Sequence, residues 1–351
     1  MSDDAADVLA RIEGRVGRLS LNRPSALHAL TLDMVRTMTA ALVAWRANDA
    51  IGAVIIDHAA GRGFCAGGDI AFLRDSALHD GGVGARRFFF EEYRLNHLIL
   101  TYSKPVIALM DGITMGGGVG LAGPAAYRVA TEATRLAMPE TGIGLFPDVG
   151  GGWYLSRLAG RLGQYMALTG ARLDGADCLW AGLATHFVPQ AALGAVRAEL
   201  AETPGEIAAI LRRHAAVPPE SNIAARAADI DRLFASDRYE DIRSALAGDG
   251  GEWAGATLAT LAAKSPQTCK VALRQLRDSL HCADFAANMA MEYRIGSRVL
   301  LRPDFAEGVR AVIIDKDHAP RWNPATAEGV TDALIEAIFA PLPANEEWTP
   351  L

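Results

Sequence analysis

Two glycine clusters, each at the end of a short apolar run, constrain this chain most. Val54-Ile55-Ile56 leads into GRGFCAGGDI (61–70), and Val106–Met110 leads into GITMGGGVG (112–120). Each cluster should then open a helix. Glycine reaches positive φ and puts no Cβ between backbone and ligand. The first N–H groups of a helix lack partners and sit at its positive end, so such loops favour anions. Two N–H groups converging on one oxygen form an oxyanion hole, worth roughly 3 kcal/mol per donor in acyl transfer. Taken singly, either cluster reads equally as a tight turn. Neither contains the G-x-x-x-x-G-K-[ST] or G-x-G-x-x-G spacing, so those nucleotide cradles are unsupported.

Around the clusters, strand and helix signals alternate. Val16–Leu21 alternates and stops at Asn22-Arg23-Pro24. Thr31 offers a cap to an amphipathic run with Leu32, Val35, Met38, Leu42 and Trp45 on one face. A helix over 88–100 precedes Lys104-Pro105 and the next strand. Short apolar strands between helices predict an α/β core with helix-covered sheets. From about residue 191 the sequence turns alanine- and arginine-rich and helical, with breaks at Pro218-Pro219 and 248–251. At 351 residues the chain exceeds one typical domain. The reading is a core over 1–190, a helical insert over 191–263, and a C-terminal helical region over 264–351 that completes the site.

The 34 Lys and Arg against 41 Asp and Glu leave a net charge of −7. That balance argues against general nucleic-acid or anionic-membrane binding. No apolar run nears the ~18 residues that span a bilayer. The acidic start, Met1 to Asp7, has no apolar stretch like that of a secretory signal, which predicts a cytoplasmic protein. Cys65, Cys178, Cys269 and Cys282 form no C-x-x-C pair, and the histidines form no His-x-x-x-His pair. No structural zinc, catalytic metal or disulfide framework is expected.

As an ordered set, LNRP (21–24), FCAGGD (64–69), Lys104-Pro105 and the 112–120 cluster resemble the enoyl-CoA hydratase/isomerase (crotonase) superfamily. The resemblance implies a crotonase-like spiral of ββα turns and a bent coenzyme A thioester. It also implies an oxyanion hole from the N–H groups of Gly68 and Gly117. Gly67, Asp69 and Ile70 then fall in the stretch that lies along the coenzyme A. Coenzyme A is part of the substrate, so no separate cofactor is implied. Such relatives are often trimers or pairs of trimers, so a homo-oligomer is expected unless the helical segment blocks those contacts.

The fold leaves the reaction open, because members place different acids and bases around the shared oxyanion hole. The superfamily's hydratases use two glutamates. One matches Glu140, in MPETGIG (138–144); the other falls at Gly120, which cannot transfer a proton. A new acid, Asp148, stands in LFPDVGGG (145–152). Proline and glycine between the two acids exclude a continuous helix, and Pro139 and Pro147 stiffen the backbone just ahead of each. Two carboxylates converging on a half-buried cleft repel, so one pKa rises, giving an acid and a base or nucleophile. By itself, either acid reads as a solvated loop residue or a helix cap.

Together with FFEEY (89–93), ALTG (167–170), ATHF (184–187), MEYR (291–294) and FAEGVRAVIIDKD (305–317), these motifs resemble one branch of the superfamily. Its members hydrolyse short 3-hydroxyacyl-CoA thioesters, with 3-hydroxyisobutyryl-CoA of valine breakdown as the implied substrate. The resemblance gives Glu140 attack on the carbonyl, or activation of the water that attacks. Asp148 would handle protons or orient the water and the substrate hydroxyl. Glu92 would accept a hydrogen bond from the 3-hydroxyl, and Lys316 would meet the coenzyme A phosphates. Two other readings stay open: a lyase or isomerase using Glu140 alone on an enoyl-CoA, and a non-catalytic CoA-binding protein. Cys65, with no histidine placed beside it by any motif, reads as packing, and His186 as a core histidine.

Overall fold

The structure, a computed structural model, describes residues 6–351, so residues 1–5 of the acidic start lie outside it. One sheet runs in the order β1 (Val8–Glu13), β2 (Val16–Leu21), β3 (Ala53–His58), β5 (Val106–Met110), β7 (Tyr127–Ala130), β10 (His186–Phe187). All its pairings are parallel except β1 with β2. A second sheet orders β4 (Gly63–Cys65), β6 (Ile113–Met115), β8 (Arg135–Ala137) and β9 (Leu173–Asp174), with only β9 antiparallel. The chain therefore spirals: β3 and β4, β5 and β6, and β7 and β8 each give one strand to each sheet before helical structure follows. Asp111-Gly112 forms the corner between β5 and β6. Gly112 sits at φ +101, and a Cβ there would run into the Arg62 carbonyl, so the corner requires glycine.

Period-two alternation buries the larger sheet on both sides. Val54, Ile56, Val106, Ala108, Met110 and Ala130 face the main core, whereas Ile55, Ile107, Leu109 and Val129 face the other way. That second face is covered by Leu193, Val196, Leu200, Ile207, Ile210 and Leu211, from helices Leu193–Glu202 and Ile207–His214. The first part of the stretch read as an insert is thus a layer of the main fold. Its later helices, Ala227–Leu233, Tyr239–Asp249 and Glu252–Ala262, pack instead against Leu162–Thr169 and Pro266–Ser279. Alanine richness hides this change of role, because alanine marks no face strongly.

Helix Leu32–Arg46 is capped by Thr31, whose hydroxyl accepts from the Met34 N–H at 3.2 Å, and it buries Met34, Val35, Met38, Leu42 and Trp45. Helix Val83–Leu100 packs between this helix and Phe285–Val299. Near the chain end Trp348 is buried, and its indole donates to the Phe90 carbonyl at 3.1 Å. Among the described residues no helix is long and apolar enough to cross a membrane.

β4, β6 and β8 are parallel neighbours, so their carboxyl ends emerge side by side about 4.8 Å apart. They are followed by Ala66-Gly67-Gly68, Gly116-Gly117-Gly118 and Met138-Pro139-Glu140. Carboxyl ends of parallel strands are where α/β folds place ligands.

Candidate active site

A cavity of about 430 Å³ opens at these three strand ends. It gathers Gly67, Gly68, Ile70, Glu92, Gly117, Glu140 and Asp148, with Leu73, Phe88, Phe89 and Val149 as apolar wall. Asp69 and Lys316 are not among its lining. Asp69 turns back to cap helix Ile70–His79, accepting from the Phe72 N–H at 3.3 Å, and pairs with Arg23 at 3.0 Å. Lys316 is exposed at φ +57, while His318 and Pro320 from the same segment reach the rim.

The first glycine loop is fixed by a single parallel bridge. The Leu30 N–H donates to the Gly67 carbonyl at 2.8 Å, and the Asp69 N–H donates to the Leu30 carbonyl at 2.9 Å. This pattern uses the groups flanking Gly68 and turns the N–H of Gly68 itself away from Leu30. Gly117 is the first residue of helix Gly117–Ala122, so its N–H belongs to the first turn that has no helical acceptor. The two loops touch backbone to backbone. A Cβ on Gly67 would lie 3.7 Å from the Gly117 nitrogen, and one on Gly117 would lie 3.2 Å from the Gly67 carbonyl carbon. Side chains there would hold the two N–H groups apart.

Two glutamates border the second loop. Glu140 begins a single 3₁₀ turn, Glu140–Ile143, closed by the Leu145 N–H donating to the Glu140 carbonyl at 3.0 Å. Its Oε1 lies 3.1 Å from where a Gly116 Cβ would stand, and Glu92 Oε1 lies 2.6 Å from where a Gly117 Cβ would stand. Both side chains are buried, and among the described residues Glu92 Oε1 and Glu140 Oε2 accept no hydrogen bond. A buried acceptor without a donor costs about 1–3 kcal/mol, so each offers an acceptor to whatever enters. Asp148, also buried, accepts from the Tyr93 hydroxyl at 2.8 Å.

Burial pushes Asp148 up from the usual carboxylate range to about 7, opposed by the hydrogen bond from Tyr93. Burial first, and the charge of Asp148 second, hold Glu140 and Glu92 well above that range. One elevated group was expected from the sequence; three are found, because desolvation acts on each separately and the charges add to it.

Gly120 explains how Asp148 reaches the cavity. A Cβ at Gly120 would lie 2.6 Å from Val149 Cβ and 2.9 Å from Asn96 Nδ2, whose amide donates to the Gly120 carbonyl at 2.9 Å. The loop carrying Asp148 folds over this glycine and fills the space a side chain would need. Val149 holds φ +53 and Gly150 φ +88. For a β-branched residue the left-handed region is strained, on the order of 1–3 kcal/mol.

Sequence reasoning missed several neighbours. Tyr93 lies inside a quoted motif with no signal of its own. Lys264 and Arg172 line the cavity unannounced, and burial holds the Lys264 ammonium below its usual range. Glu292 did carry a signal. Phe285, Met289, Glu292, Gly296 and Val299 recur at helical spacing and are all buried, so an acid sits on an apolar stripe. Cys65 is buried with its thiol pushed up to about 12, an inert packing residue, and His186 is half-buried beside Thr185.

A ββα spiral with touching glycine loops and buried acids at its strand ends is the architecture of a crotonase-fold acyl-CoA enzyme. The chain belongs to the enoyl-CoA hydratase/isomerase family, whose pattern matches residues 16–339. It is similar to the mitochondrial 3-hydroxyisobutyryl-CoA hydrolase of Danio rerio, at 41% identity over 350 residues, covering 97% of this chain and 91% of that one. The enzyme of the same name from Homo sapiens is 40% identical over 354 residues, covering 98% and 91%. Among solved structures, a carnitinyl-CoA dehydratase from Mycobacterium thermoresistibile superposes with a TM-score of 0.92 at 42% identity, covering 98% of both chains. An enoyl-CoA hydratase from Rhodobacter sphaeroides 2.4.1 gives 0.86 at 38% identity, covering 98% of this chain and 100% of that one. The cytoplasmic location expected from the acidic start is overturned by the curated relatives, which are named mitochondrial.

Proposed function

We propose that this chain hydrolyses 3-hydroxyisobutyryl-CoA to 3-hydroxyisobutyrate and coenzyme A, a step of valine breakdown. The observation that supports it best is the filling of the space beside Gly120 by Val149. It leaves no room there for a hydratase's second glutamate and brings Asp148 to the cavity that Glu140 and Glu92 line.

The thioester oxygen is held between the N–H groups of Gly68 and Gly117, where charge develops as the carbonyl carbon turns tetrahedral. Glu140, in its ionised form, either adds to that carbon or removes a proton from the water that adds. The C–S bond breaks, and the sulfur leaves with a proton supplied by a carboxyl group; where Glu140 has added, water then cleaves the acyl–Glu140 anhydride, releasing the acid and the free glutamate. Asp148, with an affinity near neutrality and one oxygen fixed by Tyr93, is suited to that exchange. Glu92 Oε1 accepts the hydrogen bond of the 3-hydroxyl, and the pantetheine arm passes Gly67 and Ile70. Water supplies hydroxyl to the acid and hydrogen to the thiol, so no separate cofactor is needed. Asp69 and Lys316, outside the cavity's lining, are proposed to meet the coenzyme A beyond it. The expected homo-oligomer is a separate proposal, read by light scattering; with a net charge of −7, nucleic acid and membranes are not proposed as partners.

The lyase reading keeps a claim through the two solved relatives named dehydratase and hydratase. A thiol reagent separates the cases. Free thiol is expected from 3-hydroxyisobutyryl-CoA, with the enoyl absorbance of crotonyl-CoA unchanged. Loss of that absorbance without thiol release would replace the hydrolase reading by a lyase. No reaction with either ester would leave a CoA binder.

A further inference from the structure

We infer that Glu292 is a positioning residue for the reaction: its carboxylate, on helix Phe285–Val299, holds the backbone after Asp148 directly and the backbone before it through Gln275. The inference rests on the reading of Asp148 as a working acid–base group. Glu292 is fully buried and lies outside the cavity's lining, so whatever it does for substrate it does through another residue.

Four N–H donors converge on this one carboxylate. Oε2 accepts from the Gly150 N–H at 2.7 Å; Oε1 accepts from the Gly152 N–H at 3.0 Å, the Gln275 amide at 3.0 Å and the Asn288 amide at 2.9 Å. The same Gln275 amide donates to the Pro147 carbonyl at 2.6 Å. Asn288 is itself oriented by the Ser279 hydroxyl at 2.7 Å. Backbone just before Asp148 and just after it is thereby tied to a single anchor on a different part of the chain.

The loop needs such an anchor. Val149 is held at φ +53, a conformation that a β-branched residue leaves when nothing opposes it. The ties at Pro147, Gly150 and Gly152 flank that residue. Only an acceptor on both oxygens suits four converging N–H groups; an amide in its place would turn its own N–H against one of them. Glu292 also sits where the helix would otherwise carry an apolar side chain, and a buried charge is kept there only at a desolvation cost.

The test is a double-variant cycle on the full chain, reading kcat, KM and the thermal midpoint with 3-hydroxyisobutyryl-CoA. Glu292→Gln should lower kcat by about 10–100-fold through misplacement of Asp148, with KM little changed. In the Asp148→Asn background the same change should lower kcat no further. A structural role makes the two losses multiply, and that result overturns the inference, as does wild-type kcat in folded Glu292→Gln. Wild-type kcat in Asp148→Asn is a different failure, because it removes the role of Asp148 itself. If Glu292→Gln does not fold, Gln275→Met removes the bridge to Pro147 and carries the same cycle. It should give a smaller loss that again vanishes in Asp148→Asn; a loss that persists there overturns the inference.

Discussion

Replacing Gly120 by alanine adds one methyl group and no charge, and the structure gives a specific reason to expect hydrolysis to fail. The new Cβ would stand 2.6 Å from Val149 Cβ and 2.9 Å from Asn96 Nδ2. Carbon atoms pack at about 3.5–4.0 Å, so one side must retreat by about 1 Å. Neither neighbour is the loose end of a flexible side chain. Asn96 is fully buried and bonded to the Gly120 carbonyl, and Val149 is buried and followed by Gly150, whose N–H is held by Glu292. Movement of Val149 carries Asp148 with it. A misplacement of about 1 Å costs on the order of 100-fold in rate, whereas the overpacking itself costs about 1–3 kcal/mol, about 1–4 °C in thermal midpoint for a chain of this length. The variant should therefore fold and bind substrate while kcat, measured by thiol release, falls about 100-fold. Gly194→Ala serves as control, since a Cβ there meets nothing within 4 Å. A Gly120→Ala enzyme with unchanged kcat and midpoint would show that the Asp148 loop tolerates displacement, and the argument for its placement would fall.

Glu140→Gln should cut turnover at least ~100-fold with the fold intact; near-normal turnover would remove Glu140 from the chemistry. Gly117→Pro deletes one oxyanion donor and should lower kcat by roughly 100–1,000-fold, and an active variant would make the second loop a mere turn. Because the charge of Asp148 helps to hold Glu140 above its ordinary range, the acid limb of kcat in Asp148→Asn should lie at lower pH than in the native enzyme. A limb that stays put would contradict the coupling. Stability should also fall with pH. Asp148 has a folded-state proton affinity raised to about 7, so its neutral form favours the fold at pH ~4 and that contribution is lost as pH rises through that value. Denaturant midpoints at pH 5 and pH 9 measure this; equal midpoints would refute it.

Much of this was legible in the sequence because glycine and proline act locally. The clusters at 67–68 and 116–118 follow apolar strands and mark the loops wherever those strands lie, and the unbroken apolar runs Val54-Ile55-Ile56 and Val106–Met110 fit a sheet buried on both faces. That β4, β6 and β8 would stand adjacent, bringing Glu140 beside Gly116, depends on pairing between distant segments, which local pattern does not carry. Asp69 shows a related ambiguity: the position that follows a glycine loop also opens a helix, and its carboxylate caps that helix. Glu292 was readable as an acid on an apolar stripe, but its partners at Gly150 and Gly152 lie 142 and 140 residues away, so its purpose was not.

The walls of the cavity are drawn from very different stages of synthesis. A chain emerging from the ribosome as far as residue 260 would already own both glycine loops, Glu92, Glu140 and Asp148. It would still lack Lys264, Val312, Ile313, His318 and Pro320, which close the cavity, and the helix bearing Glu292. Catalytic competence thus waits on the last part of the chain, and a product ending before it would carry the chemistry's groups in a cavity left open on that side.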